Sequence, residues 1–123
     1  MKRYTLYLTI CFLSLAVGPL SSLVMGQAIK PLSGTKGAEA VNNGVQHFNQ
    51  GNMDNALSKF QQALTQDPRS GVAHYNLALT YSRLGRSDLA AKHFQQASEF
   101  GRGNPFIQNS SILKQHTQKQ TKK

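Results

Sequence analysis

Apolar and polar positions along the chain repeat with a period of 34 residues. When residues 37–70 are aligned with residues 71–104, nine pairs are identical and no gap is needed. Self-similarity at such a fixed spacing is typical of architectures built from stacked helical units. The identical pairs are Gly37/Gly71, Asn42/Asn76, Gly51/Gly85, Asp54/Asp88, Ala56/Ala90, Phe60/Phe94, Gln61/Gln95, Gln62/Gln96 and Ala63/Ala97.

Small and aromatic residues recur at helical spacing within each unit. Ala56, Phe60 and Ala63 stand at i, i+4 and i+7, so they form one stripe on a helix. Gly51 and its repeat partner Gly85 precede the stripes, where glycine accepts the positive φ of a tight reversal. The pattern predicts an all-α fold of two tandem helix-turn-helix units, 37–70 and 71–104, with helices at 38–49, 53–66, 71–84 and 87–100.

Three shorter segments complete the predicted organisation of one small domain. Asn104 followed by Pro105 is an N-cap and first-turn pair, which predicts a capping helix at 105–114. Residues 29–36 are predicted to be a linker because they contain proline, serine and glycine. The polar, basic segment 115–123 is predicted to be disordered.

The first 28 residues have the pattern of an export signal. Two basic residues precede an uncharged apolar run, and small residues at Gly26 and Ala28 fit the site that a signal peptidase reads. We therefore predict a signal peptide at 1–28, a mature chain beginning near Ile29, and export to the periplasm or the extracellular space. The alternative is an uncleaved membrane anchor, because the apolar run through Met25 is long enough to span a ~30 Å hydrocarbon core.

Charge and cysteine usage narrow the chemistry of the mature chain. Lysine and arginine number 14 against 5 acidic residues, and removing Lys2 and Arg3 leaves 12 − 5 = +7. This excess favours anionic partners. The one cysteine, Cys11, lies in the leader, which excludes disulfides, cysteine-ligated metals and thiol nucleophiles from the mature chain.

The remaining residues contain no catalytic or metal-binding pattern. The four histidines lack i, i+4 pairing, and the five carboxylates are isolated along the chain. The stretch 34–37 resembles a phosphate loop but lacks the required spacing. We therefore predict no enzyme activity, no cofactor and no metal site, and we expect His74 to be a structural histidine between paired helices.

The repeat resembles the tetratricopeptide repeat, whose units have this length and carry glycine, alanine, tyrosine, phenylalanine and proline at set positions. Unit one carries Gly44, Gly51-Asn52, Ala56, Phe60, Ala63 and Asp67-Pro68; unit two carries Leu77-Ala78, Tyr81, Gly85, Ala90, Phe94 and Ala97. Unit one departs from the pattern at Ala40, Asn43 and His47, and Gly101-Arg102 replaces the second Asp-Pro. The resemblance implies a fragment of an α-solenoid with a C-terminal capping helix.

The resemblance also implies a partner-binding groove lined by the first helix of each unit. The residues it places there are Val41, Val45, Phe48, Tyr75, Asn76, Leu79 and Arg83. Asn76 matches an asparagine that in some members holds a peptide's backbone or its terminal carboxylate. Val41 and Val45 stand where the carboxylate clamp needs a lysine and an asparagine, so we do not expect recognition of chaperone tails. An amphipathic helix or an extended apolar segment suits such a surface.

Arrays of this kind need roughly three repeats for stability, and this chain has two. The alternative to a partner in the groove is therefore that the chain's own ends fill it. Self-association is a further way to cover the groove. We predict an exported, non-catalytic adaptor that mediates protein–protein interaction in the cell envelope. The alternative is a cationic protein that associates with anionic membrane surfaces through its basic C-terminal tail. Nucleic-acid binding is not expected, because aromatic residues are not interleaved with the basic ones.

Overall fold

The computed structural model describes residues 26–121, so most of the predicted leader and Lys122–Lys123 lie outside the described residues. Within this range the chain is all-helical. The helices are α1 (Ala38–Asn49), α2 (Met53–Gln66), α3 (Gly71–Arg83), α4 (Ser87–Phe100), α5 (Pro105–Gln108) and α6 (Ser111–Thr121). The first four match the predicted ranges, except that α3 ends one residue earlier.

Glycine closes the helical hairpin of each unit in the same way. Gly51 and Gly85 adopt φ values of +81° and +73°, the left-handed conformation that ends many helices. The amide after each glycine then bonds back to its first helix, from Asn52 to the carbonyl of His47 at 2.8 Å and from Arg86 to that of Tyr81 at 2.9 Å. These equivalent bonds show that both units fold as the repeat predicts.

The stripe of small and aromatic residues forms the seam of each hairpin. Ala56, Phe60 and Ala63 are at most 1% exposed, and so are their counterparts in unit two. The Phe60 ring lies against Gly44 so closely that a Cβ on that glycine would be 2.5 Å from Cε1 of the ring. The missing side chain on α1 therefore makes room for the aromatic ring on α2.

Helix α3 lies at the centre of the molecule. Every residue from Ala73 to Tyr81 is buried, because α2 packs on one side and α4 on the other, with α1 in contact as well. Ser70 begins the helix by accepting a hydrogen bond on Oγ from the amide of Ala73 at 3.2 Å. A helix enclosed in this way can carry functional side chains only where its neighbours leave an opening.

The C-terminal prediction needs two corrections. The segment predicted as one capping helix at 105–114 contains two, α5 and α6, separated at Asn109–Ser110, and Ser110 Oγ accepts from the amide of Leu113 at 3.4 Å as α6 begins. The segment predicted to be disordered from residue 115 is helical as far as Thr121. It is ordered because α6 packs on α4, where His116 stacks on the Phe94 ring with centroids 4.7 Å apart.

A pair of histidines joins α3 to α4. His74 Nε2 lies 3.0 Å from the carbonyl oxygen of Pro68, and its Nδ1 lies 3.0 Å from His93 Nδ1. A carbonyl can only accept, so Nε2 of neutral His74 carries the proton and its Nδ1 accepts from His93. Burial lowers the pKa of His74. Burial, followed by the charges of His74 and Lys92, lowers the pKa of His93 to about 4.

We predict that replacing Gly44 with valine destabilises the hairpin of unit one. The added side chain would overlap the Phe60 ring, and overpacking of this kind costs about 1–3 kcal/mol. The free energy of unfolding from urea titration should fall by that amount. Gly103→Ala is the matched control, because a Cβ there meets nothing within 4 Å. Equal stability of the two variants would contradict the close packing of α1 on α2.

We predict that stability falls as the pH drops from about 6.5 to 4. The folded-state pKa of His93 lies below 6.5, so the unfolded chain binds more protons in this window, and stability is complete only above it. The loss should be about 1–2 kcal/mol, less than full linkage because solvent screens a half-buried imidazole. Urea titrations at pH 7.5 and 4.5 measure it. His93→Gln should reduce the difference, and an unchanged difference would argue against this pair as its source.

Candidate peptide-binding groove

The seven residues predicted to line the groove lie on α1 and α3, the first helices of the two units. Six of them are at most 3% exposed, and only Arg83 is open to solvent. The guanidinium of Arg83 lies over the Phe48 ring, 4.0 Å from its centroid, an interaction favoured by the ring's negative face. Arg83 of α3 and Phe48 of α1 are therefore in contact, the other five residues are buried on the same two helices, and the partner-binding role of all seven stays a prediction.

An extended segment at the N-terminal end of the described chain covers part of the groove. We call residues 26–30 the strap. Asn76 holds the backbone of Ile29 on both sides: its Oδ1 accepts from the Ile29 amide at 2.7 Å, and its Nδ2 donates to the Ile29 carbonyl at 2.6 Å. Ala28 and Ile29 also pack against the hydrophobic core. Asn76 thus satisfies both backbone polar groups of one residue, as a neighbouring strand would.

The strap lies closest to α3 at its first residue. A Cβ on Gly26 would come within 2.6 Å of Leu79 Cδ2, 2.9 Å of Ile112 Cγ2 and 3.2 Å of the Tyr75 hydroxyl. Leu79 is 2% exposed and cannot easily move aside. A larger residue at this point would have to displace the ends of the Leu79 and Ile112 side chains, so the track followed by the strap favours glycine here.

The C-terminal helices form the opposite wall of the groove. The Tyr75 hydroxyl and Ser110 Oγ share a hydrogen bond of 2.8 Å, which joins α3 to the junction between α5 and α6. Burial raises the pKa of Tyr75, although the bond to Ser110 partly offsets this. Ile112 then brings α6 against the strap. The strap is thus enclosed between α3 and α6.

Two cavities flank Gly26. One has a volume of about 730 Å³ and lies between the strap and the start of α5 and α6, with Tyr75, Phe106 and Ser111 in its wall. The other, of about 260 Å³, lies between α3 and α6 and is lined by Leu79, Arg83 and His116 among others. No carboxylate lines either cavity. The groove is therefore filled only in part, and its charged wall residues are basic.

Among residues 26–121, no three histidine, cysteine or acidic side chains come together as a metal site would require. His74 and His93 are engaged with each other between α3 and α4. In the same range, no helix has the length and apolar character needed to cross a bilayer.

Sequence reasoning missed the strap. Residues 29–36 were predicted to be a linker, yet Ile29 and Lys30 belong to the strap, and the path turns at 33–37 before α1 begins. The sequence does not indicate the strap because Ile29 is held through its backbone amide and carbonyl, and a residue of any type has these groups. Asn76 was the one available indication, because its match within the repeat pattern pointed to a residue that holds peptide backbone.

Comparison with known proteins agrees with this architecture. A family model described as Tetratricopeptide repeat matches residues 38–102, which is more than half of the chain. The match covers α1 to α4 and ends before α5. A search of curated proteins gave no significant match.

We predict that Asn76→Ala releases the strap. Two hydrogen bonds to Ile29 are lost, at a cost of about 1–2 kcal/mol, so in the chain that still carries residues 26–28 amide exchange at Ile29 should accelerate by about tenfold or more. Asn42→Ala is the matched control, because Asn42 is the repeat counterpart of Asn76 and is exposed. Hydrogen exchange measured by NMR distinguishes them. Unchanged protection at Ile29 in Asn76→Ala would show that the strap is held by other contacts.

Proposed function

The chain belongs to the tetratricopeptide repeat family, and we propose that it is an exported, non-catalytic adaptor whose groove binds an extended segment of a protein partner. Adaptor roles in protein–protein contact are typical of this family.

The pair of hydrogen bonds between the Asn76 side chain and the backbone of Ile29 is the main support for this proposal. A side chain at the centre of the groove donates to and accepts from one extended residue. Backbone hydrogen bonds of this kind give affinity for an extended peptide regardless of its sequence, and neighbouring side-chain sites then select among peptides. The strap is thus an example, within the same chain, of the ligand class that the groove accepts.

The N-terminal sequence supports export. Lys2 and Arg3, the apolar run from Tyr4 to Val17, and the small residues Gly26 and Ala28 together form the pattern of a cleaved leader. A thiol-free mature chain is compatible with an oxidising compartment. We place the adaptor in the periplasm or outside the cell.

Two further features bear on catalysis and on the rival function. The most buried titratable histidine, His74, is bonded to Pro68 and His93, a structural use that leaves it no lone pair for a substrate. Lys114 and Lys119 are exposed on α6, so a cationic surface remains the alternative function. It requires an anionic membrane or polymer to bind at α6 rather than in the groove.

We predict that a photo-crosslinking residue at Arg83 captures a partner protein in cells that export this chain. Arg83 is exposed at the groove edge, and Gln62, exposed on α2, is the control position. A partner in the groove should crosslink about tenfold more strongly from position 83 than from 62. Changing Lys114, Lys119, Lys122 and Lys123 to glutamine should leave that product intact. Equal products from both positions, or loss of the product in the glutamine variant, would contradict the adaptor proposal.

A further inference from the structure

We propose that removal of the leader after Ala28 creates a site for the C-terminal end of a peptide, with the new α-ammonium of Ile29 as its anchor. The ligand is a peptide that ends in Gly-x-Ala with a free carboxylate. This inference rests on the export and processing proposed above and adds the chemistry of the site that processing would leave.

Ile29 keeps its place when the peptide bond that precedes it is cut. Asn76 binds both the nitrogen and the carbonyl of Ile29, and neither bond involves Ala28. Hydrolysis converts the Ile29 amide into an ammonium with three protons. One proton can still be donated to Asn76 Oδ1, so two remain for a ligand.

Gly26 lies against Leu79, Ile112 and the Tyr75 hydroxyl, and its removal exposes these groups at the floor of a track. Gly26 also separates the cavities of about 730 Å³ and 260 Å³, since it lines both of them. Once residues 26–28 are gone, the two cavities join into one cleft that leads to the nitrogen of Ile29.

The new ammonium at Ile29 would join Lys30, which lines the same cavity, whereas Arg83 lines the other cavity, beside Gly26. No carboxylate lines either cavity, so these cations are not neutralised within the walls. A partly enclosed site with this charge favours an anionic group at its end.

A peptide that follows the path of residues 26–28 in the same direction places its terminal carboxylate beside the Ile29 ammonium. Its terminal carbon must sit about 2 Å back from the original path, because a carbon-to-nitrogen separation of about 1.3 Å across a peptide bond becomes about 3.5 Å when a carboxylate oxygen accepts from the ammonium. A glycine is favoured three residues from the end, because the track passes close to Leu79 and Ile112 there. A small last residue suits the half-buried position of Ala28.

The donors of this site differ from those of the carboxylate clamp excluded above. That clamp needs a lysine and an asparagine at the positions of Val41 and Val45. Here the donor is the chain's own terminal nitrogen, held in place by Asn76. The site therefore exists only in a chain that begins at Ile29.

The test uses the chain expressed with its own leader and purified from the exported fraction, and mass spectrometry should show that it begins at Ile29. The probe is the hexapeptide Leu-Val-Met-Gly-Gln-Ala, which corresponds to residues 23–28, with a fluorescent group at its amino end. The free acid should bind about tenfold or more tightly than the C-terminal carboxamide, as measured by fluorescence anisotropy. Replacing its glycine with valine should weaken binding of the free acid by a similar factor.

Two controls test the anchor without disturbing the fold. Acetylation at pH 6.5 favours the α-amine, because its pKa of about 7.7–8.0 lies well below that of lysine, and it should remove the difference between acid and carboxamide. Lys30→Gln should weaken binding of the free acid, whereas Lys36→Gln, which lines neither cavity, should leave it unchanged.

Three results would overturn the inference: equal affinity for acid and carboxamide, no binding of either peptide, or an exported chain that begins upstream of Ile29. None of them affects the crosslink from position 83, so failure of this site and failure of the adaptor proposal are distinguishable. If the crosslink at position 83 is absent while the free acid binds, the adaptor proposal fails and the peptide site stands.

Discussion

The close approach of two helices across a missing side chain is the constraint on which this structure depends. Phe60 fills the space beside Gly44, and in unit two the counterparts Phe94 and Ala78 are both fully buried. Each hairpin holds its helices at a distance set by this pairing of small and large residues. This packing holds the first helix of each unit, and so the groove residues it carries, in place.

Helices α1 to α4 were predictable from local sequence features, whereas the order of α6 and the burial of the groove residues depend on tertiary contacts. The bounds of α1 to α4 were predictable because two separate features, the turn glycines and the 34-residue period, indicate the same helix ends. Helix α6 was not predictable from Gln115 onward because its sequence is polar, and its order depends on the contact of His116 with Phe94. The identities of the groove residues came from the repeat register. Their burial could not be predicted from the register, because the strap that covers them is held through its backbone and has no distinctive side chains.

The ends of the chain compensate for the small number of repeats. A two-unit array exposes an apolar surface that a third unit would otherwise cover. Here α5 and α6 bury Ile107 and Leu113 against the second unit, and the strap covers the concave side of α3. The surface that completes the core is therefore the same surface that we propose for partner binding. Any ligand of the groove takes the place of a segment that also completes the core.

The connection between the strap and α1 has a consequence for how strongly an outside ligand must bind. In the chain that still carries residues 26–28, only residues 31–37 separate the strap from the first helix, so the segment is tethered beside its own site. A short tether of this kind corresponds to an effective concentration in the millimolar range. A free competitor present at micromolar levels must therefore have an affinity about a thousandfold higher than the intrinsic affinity of the untethered strap segment. A partner that is itself anchored nearby, on a membrane or in an assembly, would need no such advantage.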